Sequence, residues 1–219
     1  MHLGQLLHGK PQADAPGALK HALAYEICSK VVFAGRRRRL FGRLVELAGV
    51  GAGDRVLDLG SGPGYLTALA AQAASPGGSA VGVDPSVPMV GQARCSRATA
   101  NCSFEVGRAE ALGAADGSFD VVVSSLAVHH IPEESRGRAY AEVFRVLRPG
   151  GRVLLADFRP PRGRLGRHLV GVTAGEVMRD NPVDRIAPML AEAGFGSVSV
   201  SGVGGFLHCV RAVKPGDGG

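Results

Sequence analysis

Asp54-Arg55-Val56-Leu57-Asp58-Leu59-Gly60-Ser61-Gly62-Pro63-Gly64 is the stretch that decides the fold. Val56, Leu57 and Leu59 form a short apolar run with one acid near its end, as expected of a strand buried on both faces. Three alternate glycines follow, and then the helix-compatible Tyr65-Leu66-Thr67-Ala68-Leu69-Ala70-Ala71. A strand that feeds a glycine turn and then a helix sets backbone N–H groups and a helix N-terminus beside one small space. Such a space suits a polar or charged ligand, and glycine lets the ligand approach the main chain.

The pattern repeats outward from there. Ser79 to Asp84 reads as a second strand ending on an acid, Val87 to Thr99 as a helix, and Asn101 to Val106 as a third strand. A small-residue loop from Ala109 to Ser118 leads into a fourth strand, Phe119 to Ser124. Pro132 opens a helix to about Leu147, Pro149-Gly150-Gly151 is expected to turn the chain, and Val153 to Asp157 is a fifth strand. Strands alternating with helices imply an α/β protein, a Rossmann-like sheet with helices on both faces. Val183 to Ala193 reads as a helix. Ser197 to Ser201 and Gly205 to Ala212, joined by a glycine turn, read as an antiparallel pair.

The flanks differ. Residues 1–16 lack periodicity and are expected to be disordered, and residues 17–213 form a single domain. Within it, residues 17–50 read as a helical lid: a helix over Ala18 to Phe33, then another carrying Leu40, Leu44 and Leu47. Residues 54–157 are the ligand-binding core, and 158–183, rich in Arg, Gly and Pro with a short helix at Leu165 to Val170, are a substrate-side insertion.

Composition narrows the function. The chain has 219 residues, 45% hydrophobic and 20% charged, the balance of a soluble globular domain. The net charge of +6 raises the question of nucleic acid. Only Arg36 to Arg39 is dense, however, and no zinc finger, helix-turn-helix or basic-aromatic pattern accompanies it, so nucleic acid is not expected; Arg36 to Arg39 reads as a solvated turn or helix face, with contact to an acidic substrate or to the cofactor side of the cleft as the alternative. Cys28, Cys95, Cys102 and Cys209 have no CxxC spacing; neither a metal site nor a disulfide framework is expected. Without a signal-peptide pattern or an apolar run of membrane-spanning length, the expected location is the cytoplasm, with no membrane partner.

Ligands bind outside the carboxyl ends of the strands of an open parallel sheet. Asp58, Gly60, Asp84, Ala109 and Ser124 all fall near such ends. Asp84 lies where a carboxylate can accept from a ribose diol. A dinucleotide site wants G-x-G-x-x-G, but the last position here is Tyr65. The G-x-G-x-G spacing favours a nucleoside cofactor without a pyrophosphate, and S-adenosylmethionine fits: ribose on Asp84, its amino-acid end by the glycine turn and Asp58. An NAD-dependent oxidoreductase is the alternative.

Taken together, Val56 to Gly64, Val81-Gly82-Val83-Asp84-Pro85-Ser86, Ala109-Glu110-Ala111-Leu112, Asp116 to Val122, Leu126-Ala127-Val128-His129-His130-Ile131 and Glu142 to Gly151 resemble the class I S-adenosylmethionine-dependent methyltransferases. The resemblance is to the broad group that includes the ubiquinone and menaquinone biosynthesis C-methyltransferases, and it covers residues 40–157. It implies a seven-stranded, mostly parallel sheet with the last strand antiparallel. It also implies that Asp84 binds the ribose, that Gly60 and Gly62 approach the cofactor, and that Ala109 offers its amide to the adenine. Ser61, Gly64, Pro85, Glu110 and Ser124 complete the expected cofactor site, with S-adenosylhomocysteine as the product. Where the family has an acid before that alanine, this chain has Arg108, which cannot accept a hydrogen bond; a catalytically silent relative is therefore a further alternative. Methyl transfer needs an aligned acceptor and, for a phenol or amine, a base. His129 and His130 are the candidate bases, Asp157 a further candidate at the end of strand five, and Tyr25 a candidate contact to a small-molecule acceptor. A monomer or homodimer is expected.

Overall fold

The computed structural model describes residues 36–174 and 176–216. The expected disordered segment, the helix over Ala18 to Phe33 and Tyr25 lie outside the described residues. The described chain runs α1 (Arg37–Ala48), β1 (Arg55–Leu59), α2 (Tyr65–Ala74), β2 (Ser79–Asp84), α3 (Val87–Arg97), β3 (Cys102–Val106) and β4 (Phe119–Ser125). It continues with a 3-10 turn (Val128–His130), α4 (Glu133–Val146), β5 (Leu147–Phe158), α5 (Arg164–Ala174), α6 (Glu176–Arg179), α7 (Ile186–Glu192), β6 (Gly196–Val203) and β7 (Leu207–Val213).

The strands form one seven-stranded sheet in the order β3-β2-β1-β4-β5-β7-β6. β7 alone runs antiparallel, to both β5 and β6. The order reverses between β1 and β4, which places a crevice at the carboxyl ends of those strands. Alternation along the strands divides the core. Val56, Val121, Val123 and Leu154 face α1, α2 and α3, whereas Leu57, Leu59, Val122, Val153 and Leu155 face α4 and α7. At roughly 1.5–3 kcal/mol per buried aliphatic side chain, these two layers hold the sheet rigid beneath its rim.

Two sequence expectations change. Pro149-Gly150-Gly151 does not end a strand; it lies inside β5 as a bulge, where β5 advances from Leu147 to Arg152 while β4 advances from Phe119 to Val121, with Gly150 at φ +72°. Its pairing is supplied by the far end of the sheet: Gly150 N–H donates to Lys214 O at 3.0 Å, and Lys214 N–H to Gly151 O at 2.8 Å. A local glycine signal is overridden by a neighbour distant in sequence. Arg37 is buried rather than solvated, unlike Arg36, Arg38 and Arg39. It turns inward because α1, expected to belong to the lid, buries Phe41, Leu44 and Val45 against the sheet, and Arg37 shares that face. Gly49, at φ +71°, ends α1 and returns its N–H to Glu46 O and Val45 O.

Candidate active site

The glycine turn is held from behind. Gly60 N–H and Ser61 N–H both donate to Val83 O, at 2.8 and 3.1 Å, which ties the turn to β2. Its three glycines have positive φ, +71°, +51° and +81°, but for different reasons. A Cβ on Gly60 would lie 2.3 Å from the Ala127 Cβ, and one on Gly64 2.4 Å from the Phe104 ring. A Cβ on Gly62 would meet nothing within 4 Å. Gly64 is therefore required by packing, while Gly62 opens its backbone to the crevice.

Asp84, at the end of β2, reaches back to this turn. Its Oδ2 accepts from Gly62 N–H and its Oδ1 from Ser86 N–H, both at 2.8 Å. Burial pushes its carboxyl above the usual range, although these two N–H donors act against the rise. Asp58 lies deeper, 1% exposed, and accepts from the Thr67 hydroxyl at 2.6 Å. Burial raises its pKa to about 7; Thr67 opposes the rise and the Asp84 charge adds to it. A buried carboxyl whose ionisation is opposed both by burial and by a second carboxylate makes a place for positive charge. The Ser61 hydroxyl is buried beside Gly82 and has no hydrogen-bond partner among the described residues.

Tyr65 stands where a dinucleotide site has its third glycine. It is edge-on to Phe41, with ring centroids 5.4 Å apart, and the Arg37 guanidinium lies 4.0 Å from its ring centroid. Arg97, whose charge also lies 5.6 Å from that ring, donates to Pro63 O at 3.0 Å and so fixes the outer edge of the turn.

The remaining site residues separate into two groups. Pro85 is exposed beside Asp84, and Gly107 N–H donates to Asp84 O at 3.1 Å, bringing the Ala109 loop alongside β2. There Arg108 donates to Glu110 at 2.9 Å. The Glu110 carboxyl lies low: burial would raise it, but its own backbone N–H and Arg108 outweigh that. The loop is anchored further on, where Leu112 N–H donates to Glu142 at 2.8 Å and Arg145 donates to Leu112 O at 3.1 Å. In the second group, Ser124 donates its hydroxyl to Leu59 O at 2.7 Å, a tie between β4 and β1. His129 is buried. Its Nδ1–H and backbone N–H both donate to Asp157, at 2.7 and 2.9 Å. The carboxylate sets the tautomer, leaving Nε2 as the basic nitrogen. His130 is exposed, its ring centroid 4.1 Å from that of His129.

Sequence reasoning missed Thr67, Glu142, Arg145 and the inward Arg37. Only the first carried a signal: nine residues after Asp58, on the first turn of the helix that the glycines open, a hydroxyl falls within reach of that acid. No group of acidic, histidine or cysteine side chains suited to a metal occurs among the described residues.

A parallel sheet with its order reversed above a glycine turn, a half-buried acid closing β2, and the buried Asp58 beside it suit a nucleoside cofactor that carries positive charge. Residues 56–151 match the family described as methyltransferase domain. The chain is 37% identical over 163 residues to an arsenite methyltransferase of Halobacterium salinarum, a match covering 70% of this chain and 40% of that protein. It is 33% identical over 148 residues to the ubiquinone/menaquinone biosynthesis C-methyltransferase of Pseudomonas putida, covering 66% of this chain and 57% of that one. The chain thus spans between two fifths and three fifths of these relatives' length. A SAM-dependent methyltransferase from Aquifex aeolicus superposes with a TM-score of 0.67 at 19% identity, over 82% of this chain and 93% of that one. Residues 56–151 thus carry a methyltransferase domain, on the fold shared with the S-adenosylmethionine-dependent methyltransferases.

Proposed function

We propose that this protein transfers a methyl group from S-adenosylmethionine to a small-molecule acceptor. The observation that carries the reading is the pairing of Asp58 and Asp84 beside an open glycine turn. S-adenosylmethionine, when bound, supplies an electrophilic methyl on a sulfonium, and it carries a second positive charge on its α-ammonium. The two carboxylates match that charge. A pyrophosphate would meet their repulsion and Tyr65, which disfavours the dinucleotide alternative.

Each residue then has a task. Asp84 keeps a lone pair on each oxygen for the ribose hydroxyls, its N–H contacts holding it in place. Asp58 receives the ammonium, and Ser61 offers its hydroxyl nearby. Gly60 and Gly62 present backbone, Pro85 flanks the ribose, and Ala109 offers its amide to the adenine with Glu110 beside it. Ser124, committed to Leu59, has only acceptor capacity to offer. Gly64 contributes by packing. His129 or His130 would take a proton from the acceptor; the His129 Nε2 that Asp157 leaves basic is itself buried, whereas His130 is exposed.

The relatives' acceptors differ, and the thiols bear on the choice. A thiophilic metalloid calls for converging cysteines. Among the described residues, Cys102 on β3 and Cys209 on β7 lie five strand positions apart, about 24 Å. Cys95 is exposed on α3. An organic acceptor fits this arrangement better than arsenite.

Calorimetric titration with S-adenosylhomocysteine, followed by methyl transfer from S-adenosylmethionine to a panel of small acceptors, tests the reading. We expect binding by wild type and loss of roughly ten- to a hundredfold in Asp84→Ala, the worth of hydrogen bonds to a charged acceptor. No binding by wild type would refute the proposal. Binding without transfer to any acceptor would favour the silent relative.

A further inference from the structure

We propose that the cavity just beyond the carboxyl end of β5 anchors the methyl acceptor, and that the acceptor carries a carboxylate or phosphate group. The inference rests on the methyltransferase reading above and names its substrate class.

The cavity has a volume of about 210 Å³, and its basic lining consists of Arg159, Arg162, Arg167 and Arg179, facing Asp180 and Asp184. Four guanidinium groups thus meet two carboxylates. Asp180 is shared, accepting from Arg167 at 2.7 Å and from Arg179 at 2.6 Å. Asp184 accepts from Arg159 at 3.0 Å, and Arg162 has no ion pair among the described residues. Every basic group here is arginine. The planar guanidinium fork binds carboxylate and phosphate oxygens two at a time, which lysine does not do.

The rim is built, not incidental. Arg159 N–H donates to Phe206 O at 2.8 Å, tying the start of the insertion to the loop before β7. Arg159 also contacts His208 Nδ1, and burial together with the Arg159 charge lowers the pKa of that imidazole, keeping it neutral. Asn181, itself buried, donates to Phe158 O at 2.9 Å, so the far end of the insertion closes on the last residue of β5.

Placement supplies the rest. β4 separates β5 from β1, and two strand spacings put the inner wall of the cavity about 10 Å from the end of β1, where the glycine turn begins. Asp157, holding His129, is the residue before Phe158. An anionic group held among the arginines would direct the other end of a small molecule across the two histidines toward the glycine turn. Cofactor cations and acceptor anions would then occupy opposite ends of one rim.

The test uses the full chain saturated with S-adenosylhomocysteine. Inorganic phosphate, phenyl phosphate and benzoate are titrated calorimetrically at fixed ionic strength, the last two separating phosphate from carboxylate. Affinity on the order of millimolar is expected for at least one probe. The variant Arg162→Ala/Arg167→Ala should bind it at least about tenfold more weakly, and Asp180→Asn, which removes the carboxylate charge that Arg167 and Arg179 share, more tightly. Both variants change exposed residues whose ion pairs contribute little to folding. No binding of any probe by wild type overturns the proposal, and so does unchanged affinity in the double variant. S-adenosylhomocysteine is titrated into both proteins in parallel. If it fails to bind while phosphate binding still depends on the arginines, the cavity stands and the methyltransferase reading falls.

Discussion

The two ends of the rim above the sheet are charged in opposite ways and built by opposite means. At the glycine turn the charges are acidic, buried at Asp58 and half-buried at Asp84, and fixed by short-range contacts: Asp84 to Gly62 and Ser86, Asp58 to Thr67. Beyond β5 they are basic and largely exposed, and they come from an insertion after the strand. Burial makes the acidic end costly to ionise without a cation, so it selects. The basic end remains hydrated, so it attracts and orients more than it discriminates. On the proposed reading, specificity for the cofactor would rest on desolvation, and choice of acceptor on a surface that is easy to change.

The largest effect that sharpens this contrast lies within the turn itself. Gly64→Ala puts a methyl group into the Phe104 ring at positive φ, and should cost about 2–4 kcal/mol of stability, roughly 5–15 °C in Tm. Gly62→Ala meets open space and should cost only about 1 kcal/mol, yet weaken S-adenosylhomocysteine binding strongly. Thermal melts and titrations of both variants check the pair. Equal losses of stability with equal binding would mean that the acidic end is packing alone.

Next in size is the pH dependence of Asp58. Its folded pKa, near 7, stands above the ordinary 3.8, so the unfolded chain releases this proton first. The apo protein therefore loses stability as pH rises from about 4 to about 7. Asp58→Asn should make the apo protein more stable than wild type at pH 8, by about 1–3 kcal/mol, because an amide carries no buried charge. Binding runs the other way. A cationic ligand favours the ionised carboxylate, so wild-type affinity for S-adenosylhomocysteine should rise up to about tenfold per pH unit between 6 and 7. The variant should bind weakly and without that slope. A wild-type affinity flat across this range would show that Asp58 does not face the ligand.

How far these two ends were legible follows from the same contrast. The acidic end is local. Val56 to Gly64 reads as strand, turn and helix because period, glycine spacing and acid position all lie within eleven residues, and Asp84 closes the next strand in the same way. What failed depends on partners distant in sequence. Pro149-Gly150-Gly151 looks like a turn until Lys214 pairs with it, and Arg37 looks solvated until Tyr65 lies beneath it. Ser124 could be read as a cofactor ligand from its place at a strand end, but its hydroxyl bond to Leu59, 65 residues away, could not be read at all. The basic end was legible as an Arg-rich insertion on the substrate side, but nothing in Phe158 to Pro182 says which arginines share one aspartate.

The smallest effect concerns Arg108, where the chain departs from its family. Arg108 is mostly exposed and its Glu110 partner is not, the side chains having 66% and 11% accessibility. An ion pair with one solvated member contributes about 0–1 kcal/mol, so Arg108→Ala should leave Tm within about 4 °C of wild type. Its consequence for binding has a definite sign. Arg108 occupies a Glu110 oxygen next to the backbone assigned to the adenine. If Glu110 serves as the adenine's acceptor, removing Arg108 frees that oxygen, and S-adenosylhomocysteine should bind a few-fold more tightly, with Glu110→Gln reversing the gain. If binding weakens instead, the arginine itself supports the cofactor, and the acidic end of the rim holds one cation that belongs to the protein.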